Sequence, residues 1–304
     1  MSSGNLRFAL FGNVYQHEKS AAARQVLTSL HERGAHIAIE EEYCDFLRCS
    51  ELIDTGDVAT FSGSRFEADF AISMGGDGTL LKTASLVREQ QTPIIGVNMG
   101  RLGFLADVSA KDFPQMVDAL YQGRYSVEDR ALIRVESDGE PIEGCDCALN
   151  DVAILKRDTA SMISIRTSIR MADQQDEAGE YLTTSQADGL VVSTPTGSTA
   201  YSLSNGGPLI APRTGVMLLT AVAPHSLNVR PIVIPDTAQV ELTVSSRSHT
   251  FLVAIDGRSQ KMPEGTTLRL SRAPYMVRVV KRPGTRYFAT LREKMMWGAD
   301  TRSV

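Results

Sequence analysis

"ADFAISMGGDGTLLKTASLVREQ", residues 68 to 90, passes from an apolar run through three glycines and one aspartate into a helical pattern. The run up to Met74 reads as a buried strand and the stretch from Thr79 to Gln90 as a helix. Strand, glycine loop and helix in that order are the repeating unit of a parallel α/β sheet, and such sheets bind ligands at the carboxyl ends of their strands. The flanking sequence extends the pattern. "LRFALFG", "HIAIE" and "PIIGVN" read as further strands, and "KDFPQMVDALYQG" as a helix. "EKSAAARQVLTSLHERG" sets Ala23, Val26, Leu27 and Leu30 on one helical face and stops at Gly34. The alternation predicts a doubly wound parallel-sheet domain over residues 1–125, with helices on both faces of the sheet.

Past "RYSVEDR" the period changes. "MISIRTSIR" puts Ile163, Ile165, Thr167 and Ile169 on one face and Ser164, Arg166, Ser168 and Arg170 on the other. "QVELTVS", "TFLVAID", "TTLRLS" and "YMVRVV" alternate in the same way, so residues 126–281 read as an antiparallel β-rich domain with half-solvated sheets. "RYFATLREKMMWG" regains helical spacing through Phe288, Leu291 and Met295. That predicts a C-terminal helix, within residues 282–304, that returns to complete the first domain.

Composition bounds the function. The 304 residues are 42% hydrophobic, which suffices for a substantial core in two domains. A net charge of -5, from 31 basic and 36 acidic side chains without like-charge blocks, points away from nucleic acid and membrane surfaces. The N-terminus has too short an apolar stretch for a signal sequence, and no run approaches the roughly 18 apolar residues of a membrane span. A cytoplasmic protein is expected. Cys44, Cys49, Cys145 and Cys147 lack the second half of a zinc framework and read as reduced thiols. His17, His31, His36, His225 and His249 show no metal-ligand spacing and read as structural or solvent-facing.

Gly75, Gly76 and Gly78 allow backbone N–H groups to approach an anion, and the helix that starts at Thr79 adds its positive dipole end. Phosphate is the natural guest. The loop is not a P-loop, because no Gly-Lys pair occurs in the chain, and Leu81 stands where the dinucleotide fingerprint needs glycine or alanine. Asp77 opposes the anion its neighbours attract. It could hold a divalent cation that bridges phosphates, accept a proton from an attacking hydroxyl, or stabilise a turn.

A second constellation is "DGLVVSTPTGSTAYSLSNGGP", residues 188–208. Thr194, Thr196, Ser198, Thr199, Tyr201, Ser202 and Ser204 offer neutral donors and acceptors for ribose, amide or phosphate groups, or else form a hydroxyl-rich turn that caps a helix. Between the two regions, Asn150 and Asp151 of "CALNDVAILK" could read a purine and a ribose, or make an Asx turn between strands.

"GGDGT" at 75–79, "NMGRLGFLAD" at 98–107, "LND" at 149–151 and the 188–208 stretch, in this order and spacing, resemble the NAD kinase family. "APHSLNVRPIV" at 223–233 and "VAIDG" at 253–257 extend the likeness over nearly the whole chain. G-G-D-G-T is shared with lipid kinases and, in near variants, with phosphofructokinases, whereas T-P-T-G-S-T-A-Y is close to diagnostic. The resemblance implies transfer of phosphate to the 2'-hydroxyl of the adenosine ribose of NAD, giving NADP, with ATP or another donor and a divalent cation, Mg²⁺ or Mn²⁺, carried mainly by that donor. It implies Asp77 as general base, with Gly75, Gly76, Gly78 and Thr79 as the phosphate loop and Lys82 as a phosphate contact. Asn150 and Asp151 are then the pair that holds adenosine. Asp188, Thr199, Ala200, Tyr201, Ser202, Leu203 and Ser204 line the rest of the dinucleotide, and Phe104 stands beside it. No protein-held metal is implied, and a homodimer or homotetramer is.

Two positions depart from the family pattern: Asp151 stands where glutamate is commonest, and Arg258 follows the "IDG" turn where a neutral group is usual. A lipid kinase would share residues 75–79, but would lack the hydroxyl-rich 194–204 segment and would need a membrane-facing stretch. A non-catalytic dinucleotide sensor would gain nothing from Asp77 beside phosphates.

Overall fold

The structure, a computed structural model, describes residues 5–14, 20–51, 58–100, 103–158, 161–172, 179–282, 284 and 286–298. Arg101 and Leu102 of the "NMGRLGFLAD" motif, and His17, lie outside the described residues. The chain divides into two units, residues 1–129 with 277–304, and residues 130–276.

The first unit runs β1 (Arg7–Gly12), α1 (Ser20–Glu32), β2 (His36–Glu40), α2 (Glu41–Cys49), β3 (Ala59–Phe61), β4 (Phe70–Gly75), α3 (Asp77–Val87), β5 (Ile94–Asn98), β6 (Val108–Ser109), α4 (Phe113–Tyr121) and β7 (Ser126–Arg130). Its sheet has the order β3, β2, β1, β4, β5 and then a late strand, with β7 at the edge. The pairs of β1 with β2, β1 with β4 and β4 with β5 are all parallel. β4 and β5 are buried on both faces, which is why they read as apolar runs interrupted only by the buried Ser73 and Asn98. On one face Ile72, Met74, Ile95 and Val97 share a core with Val26 and Leu30 of α1, Tyr43 and Leu47 of α2, and Val117 and Leu120 of α4. On the other, α3 lies so close to β5 that a Cβ at Gly96 would stand 2.8 Å from the Leu80 side chain.

Helix α2 is absent from the sequence reading. It follows β2 without a loop, the Glu40 carboxylate accepts the Tyr43 N–H as its cap, and Tyr43, Cys44 and Leu47 are its buried stripe. Two and a half turns with charged residues interleaved are too short for periodicity to stand out.

The second unit contains β8 (Ile133–Ser137), β9 (Cys147–Ala148), β10 (Asp151–Lys156), β11 (Ile163–Arg170), β12 (Glu180–Ala187), β13 (Gly189–Ser193), α5 (Tyr201–Ser204), β14 (Val216–Val222), β15 (Ile232–Pro235), β16 (Gln239–Ser245), β17 (Thr250–Ile255), β18 (Arg258–Pro263) and β19 (Thr267–Arg272). One sheet has the order β15, β14, β13, β10, β17, β18 and the other β12, β11, β16, β19, β8, β9. Val152, Ile154, Val192 and Val253 of the first sheet meet Ile165, Val240, Leu242 and Leu270 of the second in one core.

The chain then returns to the first unit with β20 (Val277–Lys281) and α6 (Tyr287–Met295). β20 alternates like the strands before it, yet it is the late strand of the first sheet and pairs in parallel with β5, Val279 opposite Ile94. Of the three residues that set the helical spacing of α6, Leu291 is buried, whereas Phe288 is 64% exposed. The four cysteines are all free thiols.

Candidate active site

β1 pairs with β2 on one side and β4 on the other, so the strand order reverses between β1 and β4, the position where open α/β sheets bind ligands. β4 ends at Gly75, and α3 begins at once, with Gly76 as its cap residue and Asp77 in its first turn. The N–H groups of Thr79 and Leu80 both reach back to the Gly76 carbonyl, at 3.1 and 3.2 Å. Gly75 is small for an internal reason, since a Cβ there would lie 2.1 Å from Thr79 Oγ1. Gly76 and Gly78 are different: a Cβ at either would meet nothing within 4 Å. Among the described residues no packing requires those two to lack side chains, and at the positive end of α3 Gly78 is exposed.

The Asp77 carboxylate is held by the segment that follows the outside-lying Arg101 and Leu102. The Phe104 N–H donates to Oδ2 at 2.9 Å, and the Leu105 and Ala106 N–H groups donate to Oδ1 at 3.0 Å. Gly103 must be glycine here, because a Cβ would fall 2.0 Å from Asp77 Oδ1. Lys294 of α6 completes the shell, its Nζ lying 3.3 Å from Oδ2 and 4.3 Å from the centre of the Phe104 ring. Burial pushes the Asp77 carboxyl up, but the three N–H donors and the Lys294 charge outweigh it and hold the pKa below the usual carboxylate value. Beside this loop Lys281 and Asp107 form a buried ion pair at 2.7 Å. Lys82, expected at the phosphates, has its ammonium 2.7 Å from Glu42 of α2, where any phosphate must compete with that carboxylate.

In the second unit Asn150 and Asp151 stand at the start of β10, between the ends of β13 and β17. The Asp256 carboxylate accepts the N–H groups of Leu149, Asn150 and Asp151 at 2.8, 2.8 and 3.2 Å. The Asn150 carbonyl accepts the Thr194 N–H at 2.9 Å, and Gly197 is pressed so close that a Cβ would lie 2.0 Å from that oxygen. Asp151 is buried near Asp256 with the Tyr201 N–H as a donor; burial first, and then the Asp256 charge, push its carboxyl up to about 7. Burial also raises Asp256, against the pull of its three N–H donors and of the Arg258 charge. Arg258 therefore faces the turn electrostatically.

The hydroxyl-rich segment splits in two. Thr194 donates to the Leu149 carbonyl and accepts the Gly197 N–H, Ser198 bridges Pro195 and Ile210, and Ser202 pairs with Thr220 in the interior. Ser202, expected to line the dinucleotide, thus has its side chain committed to packing. Thr199, Ala200 and Leu203 are half-buried, whereas Tyr201 and Ser204 are exposed. Asp188 is paired with Lys156 at 2.7 Å. Among the described residues no cluster of three or more His, Cys, Asp or Glu side chains is placed to hold a metal ion.

Lys294 and Asp256 were not singled out from the sequence. Lys294 lies 217 residues from Asp77, and nothing local in a charged helix marks it. Asp256 left a trace, an Asp-Gly pair at a strand end, and both residues have positive φ, 47° and 81°.

A glycine-rich helix start beside a half-buried carboxylate, at a switch point, is the kind of place where α/β proteins take phosphate, and here the α/β unit is joined in the chain to a β-rich one. Residues 8–125 match the ATP-NAD kinase N-terminal domain and residues 149–282 the ATP-NAD kinase C-terminal domain. The chain belongs to the NAD kinase family and is an enzyme of the kinase class. It is 49% identical over 297 residues to an NAD kinase of Bacteroides fragilis, covering 98% of this chain and 100% of that one. It is 39% identical over 296 residues to an NAD kinase of Porphyromonas gingivalis, covering 97% and 99%. In fold it is similar to a yeast NADH kinase solved with NADH, at TM-score 0.86 and 20% identity over 99% of this chain and 90% of that one. An NAD kinase from Archaeoglobus fulgidus solved with ATP matches at TM-score 0.68 and 23% identity, over 96% and 99%.

Proposed function

We propose that the chain transfers the terminal phosphoryl group of ATP to the 2'-hydroxyl of the adenosine ribose of NAD, giving NADP and ADP. The observation that carries the reading is the backbone at Gly76 and Gly78, which no contact among the described residues requires to be glycine, beside the Asp77 carboxylate. The ribose oxygen bonds to the γ-phosphorus as the bond from that phosphorus to the β,γ-bridging oxygen breaks. ADP leaves with the electron pair, and the hydroxyl proton passes to Asp77 and then to water. A carboxylate of lowered pKa is a weak base, and a loose transition state asks only for late proton removal. The divalent cation, Mg²⁺ or Mn²⁺, enters as part of the donor, on its phosphates.

The second unit's share in this reading is recognition of the nucleoside, with Asn150 and Asp151 offering an amide and a carboxyl group on a backbone tied down by Asp256. Thr199, Ala200, Tyr201, Leu203 and Ser204 remain in the reading as dinucleotide contacts, and Gly75, Thr79 and Lys82 as supports or contacts of the phosphate loop. The protein acts in the cytoplasm as a homo-oligomer; Leu227, Ile232 and Val233 are exposed apolar residues around edge strand β15 that a second copy would cover. Among the described residues no helix is long and apolar enough to cross a membrane.

The test is an endpoint assay with NAD, Mg²⁺ and ATP, read by an NADP-specific dehydrogenase. Wild type forms NADP, and Asp77→Asn loses turnover by ~10²-fold or more while retaining NAD binding. Near-normal turnover in Asp77→Asn removes the base assignment, and no NADP from wild type with any donor removes the function.

A further inference from the structure

Asp77 has no acceptor site to spare. A carboxylate offers about four lone-pair positions, and here Leu105 and Ala106 take Oδ1 while Phe104 and Lys294 take Oδ2. A base in that state cannot receive a proton until one partner leaves. Three of the four are consecutive backbone amides in a loop closed on itself by the Gly103 N–H to Ala106 carbonyl bond at 3.1 Å. Removing any of them means opening that loop. Lys294 is the partner that can move: its side chain is 29% exposed, its stem is flexible, and α6 is anchored by one buried side chain, Leu291.

An ammonium leaves a carboxylate readily only for a stronger anion. The uncovered backbone of Gly76 and Gly78 flanks Asp77 directly in sequence, so a triphosphate bound there brings several negative charges beside the Lys294 ammonium. The Phe104 ring face, 4.3 Å from the ammonium, stabilises it without the directional demand of a hydrogen bond.

We propose that Lys294 is a phosphate-donor ligand stored on Asp77: in the free enzyme it occupies Oδ2, and on donor binding it exchanges that carboxylate for a phosphate oxygen, which leaves Oδ2 open to the substrate hydroxyl. The exchange makes the base available only when the donor is in place. It rests on the phosphotransfer reading above and adds to it a residue from the far end of the chain.

The test compares wild type, Lys294→Met and Lys294→Arg in steady-state kinetics, with Mg·ATP and NAD varied separately and thermal unfolding recorded for each. Lys294→Met keeps the apolar stem over Phe104 and removes the charge. Its KM for ATP rises ~10-fold or more and its kcat falls, its KM for NAD stays within about twofold, and Lys294→Arg retains most of the donor affinity. An unchanged KM for ATP in a folded Lys294→Met enzyme overturns the proposal. Should Lys294→Met not fold, calorimetric titration of Lys294→Gln with Mg·ATP decides: weaker binding sustains the proposal, while equal binding or a second unfolded variant places Lys294 in the scaffold and overturns it. Wild type that makes no NADP removes the underlying reaction instead, so the two failures are distinguishable.

Discussion

Asp151 and Asp256 are bonded in both directions through the Asp151 backbone: the Asp151 N–H donates to the Asp256 carboxylate at 3.2 Å, and the Asp256 N–H donates to the Asp151 carbonyl at 3.0 Å. The start of β10 and the turn after β17 are thereby locked at the place where their two carboxyl groups are close enough to repel. Asp256 is the one that holds structure, since its oxygens take three successive amides.

Asp256→Asn should therefore damage recognition of NAD while sparing the donor. An amide has one accepting oxygen, so at least one N–H of residues 149–151 is left facing an NH₂ group, at a cost of ~1–3 kcal/mol. The expected result is a lower midpoint of thermal unfolding and a KM for NAD raised ~10-fold, with KM for ATP unchanged. Wild-type unfolding and wild-type KM for NAD would show that the three amides do not depend on this carboxylate.

The raised carboxyl of Asp151 gives stability a definite pH dependence. Its pKa is about 7 folded, against an ordinary carboxylate value near 4 unfolded, so the folded state holds the proton more tightly. Its contribution is complete below the unfolded pKa and is lost as pH rises through about 7. Denaturant unfolding of wild type and Asp151→Asn at pH 5 and pH 8 checks this: the variant gains on wild type as pH rises. A gap between the two that stays constant with pH would contradict it.

Gly103→Ala addresses the seat of Asp77. The added methyl would stand 2.0 Å from Oδ1, so either the carboxylate or the 103–106 loop must shift. Overpacking of this kind costs ~1–3 kcal/mol, and turnover should fall with it because the carboxylate proposed as the base is displaced. Turnover and stability equal to wild type would mean that the seat is softer than its geometry.

Lys281→Met should be among the more destabilising single changes in the first unit. It strands Asp107, buried and charged, at a cost of ~3–5 kcal/mol. Adding Asp107→Asn to it should restore a large part of that loss, since the pair can be replaced by neutral groups far more cheaply than it can be broken. Chemical denaturation of both variants measures the difference, and equal losses would argue against a coupled pair.

The parts of the site that were legible in the sequence are those whose physics is local. A fully buried strand such as Phe70–Gly75 is apolar but for Ser73, and the loop proposed to take phosphate is rich in glycine, so the sequence around residues 70–79 carries both patterns in adjacent letters. The same holds for Ala23, Val26, Leu27 and Leu30, whose spacing is the helix period, and for the alternation of Ile163–Arg170. The family motifs named Asp77, Asn150 and Asp151 for the same reason: each sits in a short run with its own composition.

What holds those residues was decided only by the tertiary structure. Asp77 is bound by amides of residues 104–106 and by an ammonium at 294, Asn150 and Asp151 by a carboxylate at 256, and Val277–Lys281 joins a sheet begun at residue 7. Backbone amides carry no residue-type signature, and a lysine in a charged helix looks like any solvated lysine until the chain brings it to a partner. The letters carried the motifs from which the reacting groups are proposed; which of them meet, and whether their lone pairs are free, was decided by contacts between segments far apart along the chain.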